Sequence, residues 1–195
     1  METFLELARI NQQRAREVIR RLGIVEAWES AGAEIHLIGS LATGLLMKHR
    51  DIDYHIYSDP FSPEIGFGVM ARLATDPGLK RIEYIDGTGT SEQCVEWHAW
   101  YEDQEGETWQ IDMIHMPKGS PYDGYFERMA ERIVAVLTPE TRETILRLKY
   151  ETPETEKILG VEYYRAVLED GVRTYAQFCQ WRSQYPVTGV MHWMP

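Results

Sequence analysis

Two acids one residue apart, Asp51 and Asp53, open an apolar stretch that continues Tyr54-His55-Ile56-Tyr57. Alternate residues of a strand share a face, so the two carboxylates point together while Ile52, Tyr54 and Ile56 point the other way. Like charges held side by side repel unless a cation lies between them. Donors made only of oxygen suit a hard divalent ion such as Mg2+, with Mn2+ as the alternative. Upstream, Ile35-His-Leu-Ile-Gly39-Ser40 reads as a buried strand running into a Gly-Ser turn, whose N–H groups and hydroxyl suit an anion. A cation on one side and a phosphate on the other spell phosphoryl chemistry.

A site with two metal ions needs more than one pair of acids, because it gathers four positive charges. The stretch Trp109-Gln-Ile-Asp112-Met-Ile-His115 supplies a candidate. Trp109, Ile111 and Met113 share one alternating face and Asp112 lies on the other. A carboxylate inside such a strand costs on the order of several kcal/mol unless it is paired or metal-bound. The three acids converge if this strand neighbours the one that carries Asp51 and Asp53. Glu96 and His98 fall on the face of Asp112 for the simplest hairpin registers, and either is a candidate general base. His49 and His55 flank the acid pair, where an oxygen-loving ion gives them no ligand role. Trp97, Trp100 and Trp109 could stack a base or sugar, although aromatic residues on paired strands are more often core.

These residues need elements to position them. Apolar spacing predicts helices over 2–22 and 25–31, a strand over 34–38, a helix over 41–48 and a strand over 52–57. Ser62-Pro63-Glu64 has the form of a helix start, and Asp76-Pro77-Gly78 ends that helix. Strands follow over 80–85, 93–101 and 107–116, the last two joined by a Gly106 hairpin loop. The remainder reads as helices over 122–137, 138–150, 152–171 and 175–182. The expected fold class is α+β, a mixed sheet with flanking helices and a C-terminal helical cap. It divides into residues 1–118, with the acids, and a helical region over 119–195.

In this order of motifs the chain resembles the DNA polymerase β-like nucleotidyltransferase superfamily. The matching residues are Gly39, Ser40, Asp51, Asp53 and Asp112, within a stretch of roughly 34–116. His49-Arg50-Asp51-Ile52-Asp53 and the trailing helices are similar to stand-alone lincosamide- and aminoglycoside-type nucleotidyltransferases. The resemblance implies metal-dependent transfer of a nucleoside monophosphate from an NTP to a hydroxyl, releasing pyrophosphate. It implies that Asp51 and Asp53 hold the nucleotide-associated Mg2+, and that Asp112 joins them on a second metal and helps to activate the acceptor oxygen. Gly39 and Ser40 would hold the β and γ phosphates. Lys48, Arg50 and Lys149 are candidates for a cation on the triphosphate. Arg50 stands where the superfamily often has serine, and the strand-rich segment 75–107 has no counterpart in minimal members. Some small relatives instead AMPylate a protein partner, and a non-catalytic regulatory or antitoxin-like member is the contrasting reading.

Bulk properties narrow the partners. A net charge of −11 and the lack of a basic stripe argue against a polynucleotide and for a small hydroxylated acceptor beside the NTP. At 195 residues, 44% hydrophobic and 26% charged, the chain can bury a real core. No apolar run is long enough to span a bilayer and no basic-then-apolar leader opens the sequence, so no membrane is expected. Cys94 and Cys179 form no metal or disulfide framework, which predicts a reducing cytoplasm. A homodimer is compatible with all of this. Other Asp-x-Asp chemistries fit less well. A haloacid dehalogenase-like phosphatase carries its pair at the end of a strand with threonine two residues on, where this chain has His55, and a glycosyltransferase wants a longer chain.

Overall fold

The computed structural model describes residues 3–187 and 193–195. Thr3 accepts a hydrogen bond from the Glu6 N–H and so starts helix α1 (Phe4–Leu22), which Gly23 closes in the left-handed region at φ 60°. Helix α2 (Ile24–Ser30) leads into strand β1 (Glu34–Ile38). A single turn, α3 (Gly39–Ala42), precedes β2 (Asp51–Ser58). Then come α4 (Pro63–Leu73), capped by Ser62, and three strands, β3 (Leu79–Gly87), β4 (Cys94–Glu102) and β5 (Thr108–Pro117). Helices α5 (Tyr125–Val136), α6 (Pro139–Glu151), α7 (Gly160–Leu168) and α8 (Tyr175–Gln184) follow. The architecture is α+β, a mixed five-stranded sheet with helices around it.

Strand order is β1-β2-β5-β4-β3. All pairs are antiparallel except β2 with β5, which run parallel through a crossover containing α4, β3 and β4. One sheet face is apolar: Ile52, Tyr54, Trp97, Ala99, Trp109, Ile111 and Met113 are buried against α1, α2 and α4. A second core joins α5 to α8 with the start of α1 and with Leu45 and Met47. Among the described residues no helix is long and apolar enough to cross a membrane.

Two expected helices are corrected. The helix over 41–48 stops at Ala42, because Gly44 takes φ 71° and breaks it. Residues 44–47 run as a loop whose carbonyls are satisfied by side chains. Gln12 donates to Gly44 and Leu46, Asn11 to Met47 and Lys149 to Leu45. The helix over 152–171 begins only at Gly160. Thr152 instead ends α6, returning both its N–H and its hydroxyl to the Leu148 carbonyl.

Candidate active site

Register brings the acids together. Asp53 lies opposite Asp112 on the parallel neighbour, Asp51 lies opposite Gln110, and His98 on β4 lies opposite Asp112 from the other side. The acids therefore occupy the sheet face away from the apolar core, half-buried where the face meets the C-terminal helices. Gly39 touches them. It has φ 67°, and a Cβ there would lie 2.0 Å from Asp53 Oδ2, so no other residue leaves Asp53 in place.

Burial first, then the charges of Asp51 and Asp112, pushes the Asp53 carboxyl up to about 7 from 3.8. Burial also raises Asp51, offset by His49 and reinforced by Asp112. Lys149 lowers both. Two partly buried acids that resist ionising beside a third make a site short of positive charge. Their donors are all oxygen, and the Asp53 carboxylate fills the space that a side chain at Gly39 would take, which fixes it facing the Gly-Ser turn. These residues fit a hard divalent cation.

Asp112 is held from two directions. His98 Nδ1 lies 2.6 Å from its Oδ1, and the Gln110 amide donates to Oδ1 and Oδ2 at 3.0 and 3.1 Å. The other ring nitrogen, His98 Nε2, lies 3.1 Å from Glu96 Oε2. Burial opposes a charge on His98, but the hydrogen bonds and charges of Asp112 and Glu96 outweigh it and its pKa rises. A second set, Glu92, Cys94 and Glu96, has ligand atoms within 4.8 Å of one another, and among the described residues Asp51, Asp53 and Asp112 are not so closely set.

The site opens into a cavity of about 590 Å³ lined by Gly39, Ser40, His49, Asp51, Asp53, Glu92 and Lys149, with apolar walls from α5 and α7. Lys149 Nζ donates to the Leu45 carbonyl and the Tyr164 hydroxyl and lies 5.1 Å from the Tyr164 ring centroid. Lys48 is used elsewhere, on the Tyr150 and Thr152 carbonyls. Arg50 pairs with Glu107 at 3.0 Å and faces a second, polar cavity of about 360 Å³ that Asp51, Trp100, Thr108, Gln110 and Glu154 also line. Trp97 and Trp109 are buried in the core, while Trp100 carries the Arg81 guanidinium 4.2 Å from its ring centroid. Gln110 escaped the sequence reading. Its i, i+2 spacing from Asp112 was the signal. The cleft walls Phe126, Met129 and Leu159 carried no signal, because helix periodicity does not tell a wall from a core.

A family model described as a nucleotidyltransferase domain matches residues 20–118. The solved structure of Cid1, described for its RNA terminal uridylyl transferase activity, shares the fold at a TM-score of 0.58 and 16% identity, covering 80% of this chain and 46% of that one. Cid1 poly(U) polymerase with MgGTP bound gives 0.59 and 15%, covering 81% and 49%. GLD-2 in its complex with RNP-8 gives 0.54 and 10%, covering 81% and 57%. The chain thus spans about half the length of these neighbours, and the likeness is one of fold. A comparison with curated proteins finds no match. The family model covers half of the sequence, including Gly39, Ser40 and all three acids, and the protein belongs to the nucleotidyltransferase-domain family of the DNA polymerase β-like superfamily.

Proposed function

We propose that the protein is a metal-dependent nucleotidyltransferase that moves a nucleoside monophosphate from an NTP to a hydroxyl of a small molecule and releases pyrophosphate. The observation that carries this reading is the row Asp51, Asp53 and Asp112 on one sheet face, with Gly39 pressed against Asp53 at the mouth of the 590 Å³ cavity. The volume suits a nucleotide. Asp51 and Asp53 would hold Mg2+ or Mn2+, and Asp112 would complete the set for a second ion. A bound ion supplies charge neutralisation and polarisation at the phosphoryl group.

The chain's own residues supply the positioning. Ser40 and the first-turn N–H groups of α3, which have no acceptor within their helix, receive the β and γ phosphates. Lys149, braced on Leu45 and Tyr164, offers the cation for the triphosphate. Arg50 stands on the far side of Asp51, tied to Glu107, and reaches a phosphate only by leaving that pair. Phe126, Met129, Ile158 and Tyr164 wall the cavity and exclude water from the reacting phosphorus. Asp112 assists the acceptor oxygen as its proton leaves. The polar 360 Å³ cavity on the far side of Asp51 suits an acceptor of small-molecule size. The net charge of −11 disfavours a polynucleotide there. We read the chain as two units, 1–118 and 119–195, with the nucleotide between them. Free thiols at Cys94 and Cys179 favour a cytoplasmic setting.

The test is pyrophosphate release from each of ATP, GTP, CTP and UTP with Mg2+, screened against hydroxylated small molecules, a short oligouridylate and protein lysate fractions. Release stimulated by a small molecule supports the reading. Stimulation by the RNA alone or by protein alone overturns the acceptor assignment, and Asp53→Asn at wild-type rate overturns the site.

A further inference from the structure

Asp112 is the acid whose freedom is most restricted. Its opposition to Asp53 and to His98 is set by the backbone ladders of β2–β5 and β4–β5, so the side-chain bonds of His98 and Gln110 are not needed to pair the strands. What those bonds do is fix the carboxylate rotamer. The two donors differ. His98 touches only Oδ1, and its far nitrogen is anchored on Glu96. Gln110 donates to both oxygens and therefore occupies Oδ2, the atom that His98 leaves open. A cation approaching Asp112 meets an oxygen already taken by Gln110, while the Oδ1 contact to His98 can stay.

We propose that Glu96–His98 is a permanent brace that positions Asp112 for metal binding, and that Gln110 is a placeholder released when the ion arrives. His98 is thus a positioning residue acting through Asp112. This rests on the reading of Asp112 as a metal ligand. Partners outside the ligand set that orient a ligand usually change metal affinity by about 10–100-fold when removed. A purely structural histidine would lose stability without that loss.

The probe is Mn2+ alone, titrated into the full chain and followed by its electron paramagnetic resonance, with thermal melts checking that each variant folds. His98→Phe keeps a ring without donors and is expected to weaken Mn2+ binding about tenfold. His98→Asn keeps a donor where Nδ1 stands and is expected to recover affinity to within about threefold of wild type. Gln110→Ala, which frees Oδ2, is expected to tighten binding by about threefold. Wild-type affinity in His98→Phe, an Asn variant no better than Phe, or weakened binding in Gln110→Ala overturns the brace. Asp53→Asn reports on the site itself: undiminished Mn2+ binding in that variant defeats the metal reading as a whole, an outcome separable from the His98 series.

Discussion

Gly39 and Asp53 are joined by a steric limit that leads to a firm expectation. In Gly39→Ala the new Cβ would stand 2.0 Å from Asp53 Oδ2 at a φ of 67°, so both the carboxylate and the backbone must shift. We expect a loss of about 2–4 kcal/mol in urea unfolding, from left-handed strain plus overpacking. We also expect loss of the Mg2+-induced rise in melting temperature, and an Ala variant that keeps both would show that Gly39 is a spacer. Asp53→Asn should behave in the opposite way for stability. Removing one of three mutually repelling acids should raise the melting temperature of the metal-free protein by the equivalent of about 1–2 kcal/mol while abolishing the metal response. A destabilised Asn variant would mean that Asp53 serves the fold. His115 gives a pH signature away from the acids. It is fully buried between Trp28 and Phe61, with Nε2 2.8 Å from Ser58 Oγ and no partner for Nδ1 among the described residues. Burial pushes its pKa down to about 4 from 6.5. The unfolded chain takes up a proton below 6.5 that the folded chain refuses, so stability is complete above that pH and is lost as pH falls toward 4. Between pH 7 and pH 5 the wild type should lose about 2 kcal/mol more than His115→Gln in urea unfolding. Equal losses would contradict the buried neutral ring.

The loop before β2 determines where Asp51 and Asp53 start, and buried amides of α1 hold it. Asn11 and Gln12 are 2% and 8% exposed and serve the carbonyls of Gly44, Leu46 and Met47. Asn11→Ala should leave the Met47 carbonyl without its donor and cost about 1–3 kcal/mol, measured by urea unfolding. A cost indistinguishable from zero would mean that water replaces the amide. This region also shows where local sequence falls short. The strands, the Gly-Ser turn and the capped starts of α4 and α6 were legible, because alternation, Ser62-Pro63 and Thr138-Pro139 are local signals. The expected helix over 41–48 rests on apolar spacing that outweighs one interior glycine, and the side chains that make the loop cheap lie far off in sequence, Asn11 and Gln12 more than 30 residues upstream and Lys149 far downstream. Thr152-Pro153 reads equally as a start or a stop. The structure makes it a stop, with the Thr152 hydroxyl shared between Leu148 and Tyr163.

Across the whole molecule, the candidate site lies where one chain builds two cores along the loop before β2, with Leu46 in the first and Leu45 and Met47 in the second. The convergence of Asp112 with Asp53 depends on a parallel pairing between residues 59 apart in sequence, which no local pattern reports. The types of the acids were legible, because a carboxylate in an apolar strand has few other reasons to exist. The hold that Gln110 and His98 keep on Asp112 was legible only in part, through strand parity. The apolar walls of the cleft come from helices that pack against each other on one side and face the cavity on the other, and sequence does not distinguish these sides. Calorimetric titration of ATP, GTP, CTP and UTP into the full chain, each with and without Mg2+, asks whether the three-acid site takes a nucleotide through a metal ion. At least one nucleotide is expected to bind, binding is expected to require Mg2+, and Asp53→Asn is expected to remove it. Failure of all four nucleotides to bind in the presence of Mg2+, or equal binding without the ion, would contradict that expectation.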